Sequence, residues 1–337
     1  MRAFLAALLL GVFYTPCGAF CDSKGGIAHR HYYHGVYHQR PPPTRTKELS
    51  NIQLCAAINE GTMTVTRGPE ECQLAYRIVR PMALSSQQAA PIVVLHGGPS
   101  VPSDYCYPLQ DHVPYRSIVH YDQIGCGSSS EPTDLALYSI DAALDDLEAL
   151  LRKLGLRRFH LYGQSFGGIL AFEYAKRVAE RVEEGDVKCL SVILSSAPTS
   201  VAMVEHEANQ LVAALGVDNE HDDVAERFRM AHQCRTSESP APLKDAYAHA
   251  GTVWRGTTAI ADYEAKPPGP TARRMPSCLV LRGEHDFVSE KCVQDWKECF
   301  NHKFVRYALL EGCSHHGLLE NGPMYGDLVD SFFGEYD

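Results

Sequence analysis

Ser165 lies in Leu161-Tyr162-Gly163-Gln164-Ser165-Phe166-Gly167-Gly168, a Gly-x-Ser-x-Gly stretch whose residue types suit attack by a serine hydroxyl on an acyl carbon. Before it, Arg158-Phe159-His160-Leu161-Tyr162 predicts a short strand. After it, Ile169-Leu170-Ala171-Phe172-Glu173-Tyr174-Ala175 predicts a helix with one apolar face. A chain that passes from strand to helix within one residue crowds the backbone around the serine, and glycines at 163 and 167 remove side chains that would obstruct the turn. The helix N-terminus beneath the hydroxyl favours negative charge. Taken alone, the stretch also fits a Gly-rich turn with an incidental serine, and the rest of the chain decides between the two.

A serine nucleophile needs a base, an acid that orients the base, and donors for the oxyanion. Cys278-Leu279-Val280-Leu281 predicts a strand running into Arg282-Gly283-Glu284-His285-Asp286, which puts Asp286 on a strand-end loop. Phe304-Val305-Arg306-Tyr307-Ala308-Leu309-Leu310 predicts a further strand, and Glu311-Gly312-Cys313-Ser314-His315-His316 then puts two histidines on the next loop. Singly, Asp286 suits a turn or a helix cap and His315 a surface loop. Their order after Ser165, on loops where open α/β sheets assemble their sites, favours a triad of Ser165, Asp286 and His315, with His316 as the alternative base. Pro91-Ile92-Val93-Val94-Leu95-His96-Gly97-Gly98-Pro99 predicts a strand ending in a glycine loop whose N–H groups can approach an oxyanion closely. Gly98 and Phe166 are the predicted donors. His96 precedes the nucleophile and is read as a structural loop residue.

Together, His96-Gly97-Gly98-Pro99, Tyr121-Asp122-Gln123-Ile124-Gly125-Cys126-Gly127-Ser128-Ser129, the serine turn, Gly283-Glu284-His285-Asp286 and Gly312-Cys313-Ser314-His315 resemble the proline iminopeptidase branch of the α/β-hydrolase superfamily, from about residue 59 to the C-terminus. The resemblance implies an α/β-hydrolase fold, with a mostly parallel central sheet flanked by helices and a helical cap insertion. It implies release of an N-terminal residue, often proline, from peptides, with Ser165 as nucleophile, Asp286 as orienting acid, His315 as base, and Gly98 and Phe166 at the oxyanion hole. No cofactor and no metal are implied. Three positions depart from the branch. Phe287 stands where an acid often follows the triad Asp, and Val253-Trp254-Arg255-Gly256-Thr257-Thr258-Ala259 lacks the cap carboxylate that normally holds the substrate ammonium. Ser100 replaces a usual glycine. Trp254 and Glu264 are the substrate-binding candidates, with Asp262 and Glu284 as other replacements for the missing acid.

At 337 residues and 45% hydrophobic content the chain can bury a full core. A formal charge of −10, without a basic run interleaved with aromatics outside the leader, argues against a nucleic-acid partner. The twelve cysteines lack paired C-x2-C spacing, so no zinc site is predicted. Arg2, the apolar run from Ala3 to Tyr14, and Cys17-Gly18-Ala19 have the three regions of a signal peptide and are too short for a membrane span. Secretion is the first expectation for location, with no membrane association after signal removal and with pairing open to some cysteines. Cleavage after Ala19 would leave Phe20 leading a basic, acid-poor stretch, which resembles the two-part leader of complex plastids and supplies the alternative.

The expected organisation is a signal peptide at 1–19, a basic leader or disordered linker at 20–50, the first part of the core at 51–197, a helical cap at 198–275 and the second part of the core at 276–337. Gly61–Thr66 and Cys72–Val79 predict an opening hairpin. Asp141 to Leu154 predicts an amphipathic helix with Leu144, Leu147, Leu151 and Leu154 on its core stripe. The predicted activity is serine acyl transfer on a small peptide or ester. A carboxylesterase or lipase-like hydrolase is the nearest alternative, and a non-catalytic ligand-binding receptor is the alternative from another class. The oligomeric state is left open.

Overall fold

The computed structural model describes residues 57–81, 89–181, 187–216 and 223–337. The predicted signal peptide and the leader or linker at 20–50 lie outside the described residues.

Eight strands form one sheet: β1 (Ala57–Arg67), β2 (Glu70–Arg80), β3 (Ile92–Leu95), β4 (Ile118–Tyr121), β5 (Arg158–Gln164), β6 (Lys188–Ser195), β7 (Ser277–Gly283) and β8 (Val305–Leu310). Their spatial order is β1-β2-β4-β3-β5-β6-β7-β8. The β1–β2 hairpin and the β2–β4 pair are antiparallel, and every later pair is parallel. The hairpin is longer than predicted at both strands. Residues 57–60 of the edge strand β1 are exposed, so they carry no apolar alternation to reveal them.

The parallel strands are apolar on both faces because helices cover both. Val93 and Leu95 face one core cluster and Ile92 and Val94 the other, and Val192 and Leu194 alternate in the same way with Ile193. Each such side chain, removed fully from water, contributes about 1.5–3 kcal/mol. Helix α1 (Ile140–Lys153) and helix α2 (Phe166–Glu180) cover the first face. The Ser139 hydroxyl caps α1 by accepting from Ala142 N (3.0 Å). Leu144, Leu147 and Leu151 are buried as the spacing predicts, and Leu154 is half-buried. The same apolar face holds Asp146, whose carboxylate accepts from Arg67 Nε (3.2 Å) in a buried ion pair between α1 and β1.

Between β6 and β7 the chain forms helix α3 (Val201–Leu215), two short helical turns at Val224–Phe228 and Arg229–Gln233, helix α4 (Ala241–Ala248) and a 3-10 turn at Thr257–Ile260. Among the described residues its only sheet-like pairing is an isolated bridge between Ser200 and Glu264. Helix α5 (Gly322–Gly334) closes the second face, where Tyr325 Oη donates to Ser195 Oγ (2.6 Å). The parallel strands β3, β5, β6, β7 and β8 present their C-terminal ends along one edge of the sheet, so the loops after β3, β5, β7 and β8, distant in sequence, meet there.

Candidate active site

Ser165 joins β5 directly to α2, with φ 54° and ψ −120°. A non-glycine residue held in that region carries strain of about 1–3 kcal/mol, which the packing around it must hold in place. Ser165 N donates to Ser195 O (2.8 Å), fixing the turn to the neighbouring strand. The glycines are steric requirements: a Cβ on Gly163 would lie 2.2 Å from Gly167 O, and one on Gly167 would lie 2.0 Å from Leu95 O. The helix therefore starts in contact with the strands. Phe166 opens α2, so its N–H belongs to the first-turn donors that a helix leaves free.

Asp286 and His315 are both buried, and His315 Nδ1 lies 2.9 Å from Asp286 Oδ1. Ionised Asp286 accepts only, so Nδ1 carries the proton and Nε2 is left as the acceptor. Val288 N also donates to Asp286 Oδ1 (2.9 Å), which locks the carboxylate on its loop. Phe287 stacks on the imidazole with ring centroids 4.2 Å apart and 28° between planes. His316, the alternative base, lines the same pocket and packs its ring nearly perpendicular to those of Tyr105 and His315. Burial, together with the neighbouring His315, pushes its pKa well below the usual histidine range.

The glycine loop after β3 is held from behind. His96 Nδ1 donates to Gly97 O (3.0 Å), and His96 Nε2 accepts from Gln123 N (2.9 Å). Gln123 Nε2 donates to His96 O (2.9 Å). Asp122 Oδ1 accepts from Ser103 N and Ser103 Oγ, and Asp122 Oδ2 from Ser128 N. His96 is thus a buried strut for the loop, and burial lowers its pKa, keeping it neutral. Ser100, at φ 70°, uses its hydroxyl to donate to Trp254 O (2.6 Å), tying the glycine loop to the segment above.

Ser165, His315, Gly98 and Phe166 line one pocket. Ile169, Val201, Val204, Ile260 and Val288 form its apolar wall, with Phe287 against the base. Tyr105, Gln164, Gln233, Tyr247 and Thr257 add polar atoms, and sequence reasoning gave none of them a role. Only Gln164, adjacent to the serine, carried a positional signal.

The two substrate-binding candidates lie elsewhere. Glu264, which bridges to Ser200 through its backbone, has its side chain exposed and ion-paired with Lys266. Trp254 is buried behind the nucleophile turn, stacked on Tyr138 (5.9 Å) and edge-on to Phe166 (5.5 Å), with Nε1 donating to Ala259 O. It supports the pocket without lining it. Asp262 and Glu284 are also exposed, and Glu284 accepts from Gly312 N. Among the described residues no carboxylate lines the pocket.

The described cysteines are all free thiols, and no cluster of potential metal ligands occurs among the described residues.

Comparison with known proteins places this architecture. Residues 90–322 match the alpha/beta hydrolase fold family. The proline iminopeptidase of Lactobacillus helveticus is 36% identical over 291 residues, covering 78% of this chain and 94% of that one. That of Saccharolobus solfataricus is 27% identical over 278 residues, covering 72% and 84%. Among solved structures, Mycobacterium smegmatis proline iminopeptidase superposes with a TM-score of 0.69 at 24% identity, over 82% of this chain and 98% of that one. An esterase from Exiguobacterium antarcticum reaches 0.59 at 16% identity, over 80% and 98%. Fold and site together define a hydrolase of the α/β-hydrolase family. Within that family the chain belongs to the proline iminopeptidase branch and is a serine aminopeptidase.

Proposed function

We propose that this aminopeptidase releases an N-terminal proline, or another small apolar residue, from short peptides through an acyl-enzyme. The observation that carries the reading is the pocket around Ser165, whose apolar wall includes Val201, Val204 and Ile260 of the segment between β6 and β7. A small aliphatic ring or side chain fits such walls, and the names of the relatives support proline as the first candidate.

In this mechanism His315 Nε2 takes the Ser165 proton as Oγ attacks the scissile carbonyl carbon. Asp286 keeps Nδ1–H pointed at itself and stabilises the imidazolium that forms. The Gly98 and Phe166 N–H groups receive the oxyanion. The imidazolium then protonates the departing amine as the C–N bond breaks, leaving Ser165 acylated. His315 next deprotonates water, which attacks the ester carbonyl, and the imidazolium returns that proton to Ser165 Oγ as the C–O bond breaks and the amino acid leaves.

One observation favours esters as a second reading. An ammonium taken from water without a countercharge costs several kcal/mol, and no carboxylate lines the pocket among the described residues. The test compares a prolyl arylamide, an alanyl arylamide, their N-acetylated forms and short-chain acyl esters on the purified enzyme. Turnover of the free-amine arylamides is the expected result, with a preference over the N-acetyl forms of less than about tenfold, for want of a buried countercharge. Ester turnover with inert arylamides would replace the aminopeptidase reading by the second one. A preference far above tenfold would place a carboxylate at the amine.

A further inference from the structure

Gly97, Gln164 and His315 come from three separate loops, yet one run of hydrogen bonds joins them. Gly97 N donates to Tyr105 Oη at 2.6 Å. Tyr105 Oη donates to Gln164 Oε1 at 2.7 Å, and Gln164 Nε2 donates to His315 O at 3.3 Å. The directions are forced. The tyrosine has one proton, and because Oη accepts from Gly97 that proton goes to Gln164; Oε1 is then the acceptor, which turns Nε2 toward the His315 carbonyl. Tyr105 is 3% and Gln164 4% exposed, so these bonds are largely shielded from water. The packing is equally close: a Cβ on Gly97 would lie 2.6 Å from Gln164 Oε1 and 3.1 Å from Ser165 Cβ.

We propose that Tyr105 and Gln164 are positioning residues, a hydrogen-bonded strut that sets the oxyanion loop and the base loop at a fixed separation on either side of Ser165. The inference rests on the acyl-transfer reading of that serine. Because the Gly97 N–H is taken by Tyr105, the loop is anchored one residue before Gly98, whose φ of 119° turns the next peptide. The oxyanion donor on this loop is therefore Gly98, and its aim depends on the tyrosine hydroxyl. At the other end, Gln164 and Ser196 Oγ (3.4 Å) both hold the His315 carbonyl, while Asp286 holds the ring. Small displacements between a nucleophile, its base and its oxyanion donors lower the chemical step and leave ground-state binding largely intact.

The experiment compares the wild-type enzyme, Tyr105→Phe, Gln164→Met and the double variant on the best aminoacyl arylamide, with Ser165→Ala alongside. The expected result is a fall in kcat of about 10- to 100-fold in each single variant with KM within about threefold. In the double variant the loss should match the worse single one, because either change breaks the same strut. Wild-type kcat in either folded single variant, or losses that multiply in the double one, would overturn the proposal. Should Tyr105→Phe fail to fold, Gln164→Glu decides. Its carboxylate still accepts from Tyr105 but cannot donate to the His315 carbonyl, so kcat should fall with KM held, and wild-type kcat would again overturn the strut. Activity surviving in Ser165→Ala would refute the acyl-transfer reading itself. An inert Ser165→Ala beside a fully active Tyr105→Phe would refute the strut alone.

Discussion

His315 and His316 are adjacent in sequence and face different partners, and that difference separates their expected roles. His315 shares a hydrogen bond with Asp286 and stacks on Phe287, whose ring face stabilises the imidazolium formed when the base takes a proton. His316 is held neutral by burial and meets Tyr105 edge-on. His315→Ala is therefore expected to lower kcat/KM by about 10⁴-fold, and His316→Ala by less than about tenfold. Steady-state kinetics on the same arylamide check this, and the reverse order would move the base to His316. Ser165→Ala is expected to cost at least as much as His315→Ala while leaving the circular dichroism spectrum and unfolding midpoint near wild type, since the turn needs little side-chain volume there. Ser100 illustrates a different compromise at this scale. Its left-handed backbone favours glycine, but its hydroxyl gains the bond to Trp254 O.

At the scale of elements, the start of α2 lies against the ends of β3 and β5 with no room for a methyl group. A Cβ on Gly167 would meet Leu95 O at 2.0 Å and His96 O at 2.6 Å, and both are backbone atoms that cannot swing aside. Gly167→Ala is expected to lower the unfolding free energy by about 3 kcal/mol, at the upper end of overpacking costs. It should also displace the oxyanion loop, so activity should fall in the fraction that folds. Urea unfolding and kinetics on that fraction test it. A variant with wild-type stability would show that strand and helix can separate more easily than the close approach implies. The segment between β6 and β7 contributes Val201, Val204 and Ile260 to the pocket, whereas the sheet contributes the reacting groups. Substitutions in α3 are accordingly expected to change substrate preference more than the rate of acyl transfer to Ser165.

For the molecule as a whole, acid stability follows from histidines buried without charge. His120 on β4 is fully buried, and neither ring nitrogen has a partner among the described residues. Burial, helped by the positive Arg77 opposite it in the sheet, lowers its pKa from 6.5 to about 3. His160 is lowered to about 4, chiefly by burial. In both cases the folded pKa lies below the unfolded one, so between pH 6.5 and these values the unfolded chain binds more protons. Stability then falls as pH falls, by about 1.4 kcal/mol per pH unit for each proton fully taken up. His120→Leu removes one of these protons and two unpartnered nitrogens. It should be at least as stable as wild type at pH 7 and lose stability more shallowly down to pH 4. Urea unfolding at pH 7, 6, 5 and 4 reads both slopes, and parallel slopes would remove His120 from the account.

The features legible in the sequence alone are those set by local chemistry. Apolar runs of four to seven residues announce the parallel strands, and glycines at 163 and 167 announce a turn that admits no side chain. The order of Ser165, Asp286 and His315 after the ends of strands, with the glycine loop at Gly97 and Gly98, outlined the reacting groups. Tertiary structure decided what depends on residues meeting from afar. Tyr105 reaches Gln164 across 59 positions, and Arg67 reaches Asp146 across 79, so no window of sequence contains either pair. The same reason governs Trp254 and Glu264. Aromatic and acidic letters in a suitable segment cannot say which way the chain faces, and packing turned the indole behind the nucleophile and left the carboxylate in solvent beside Lys266.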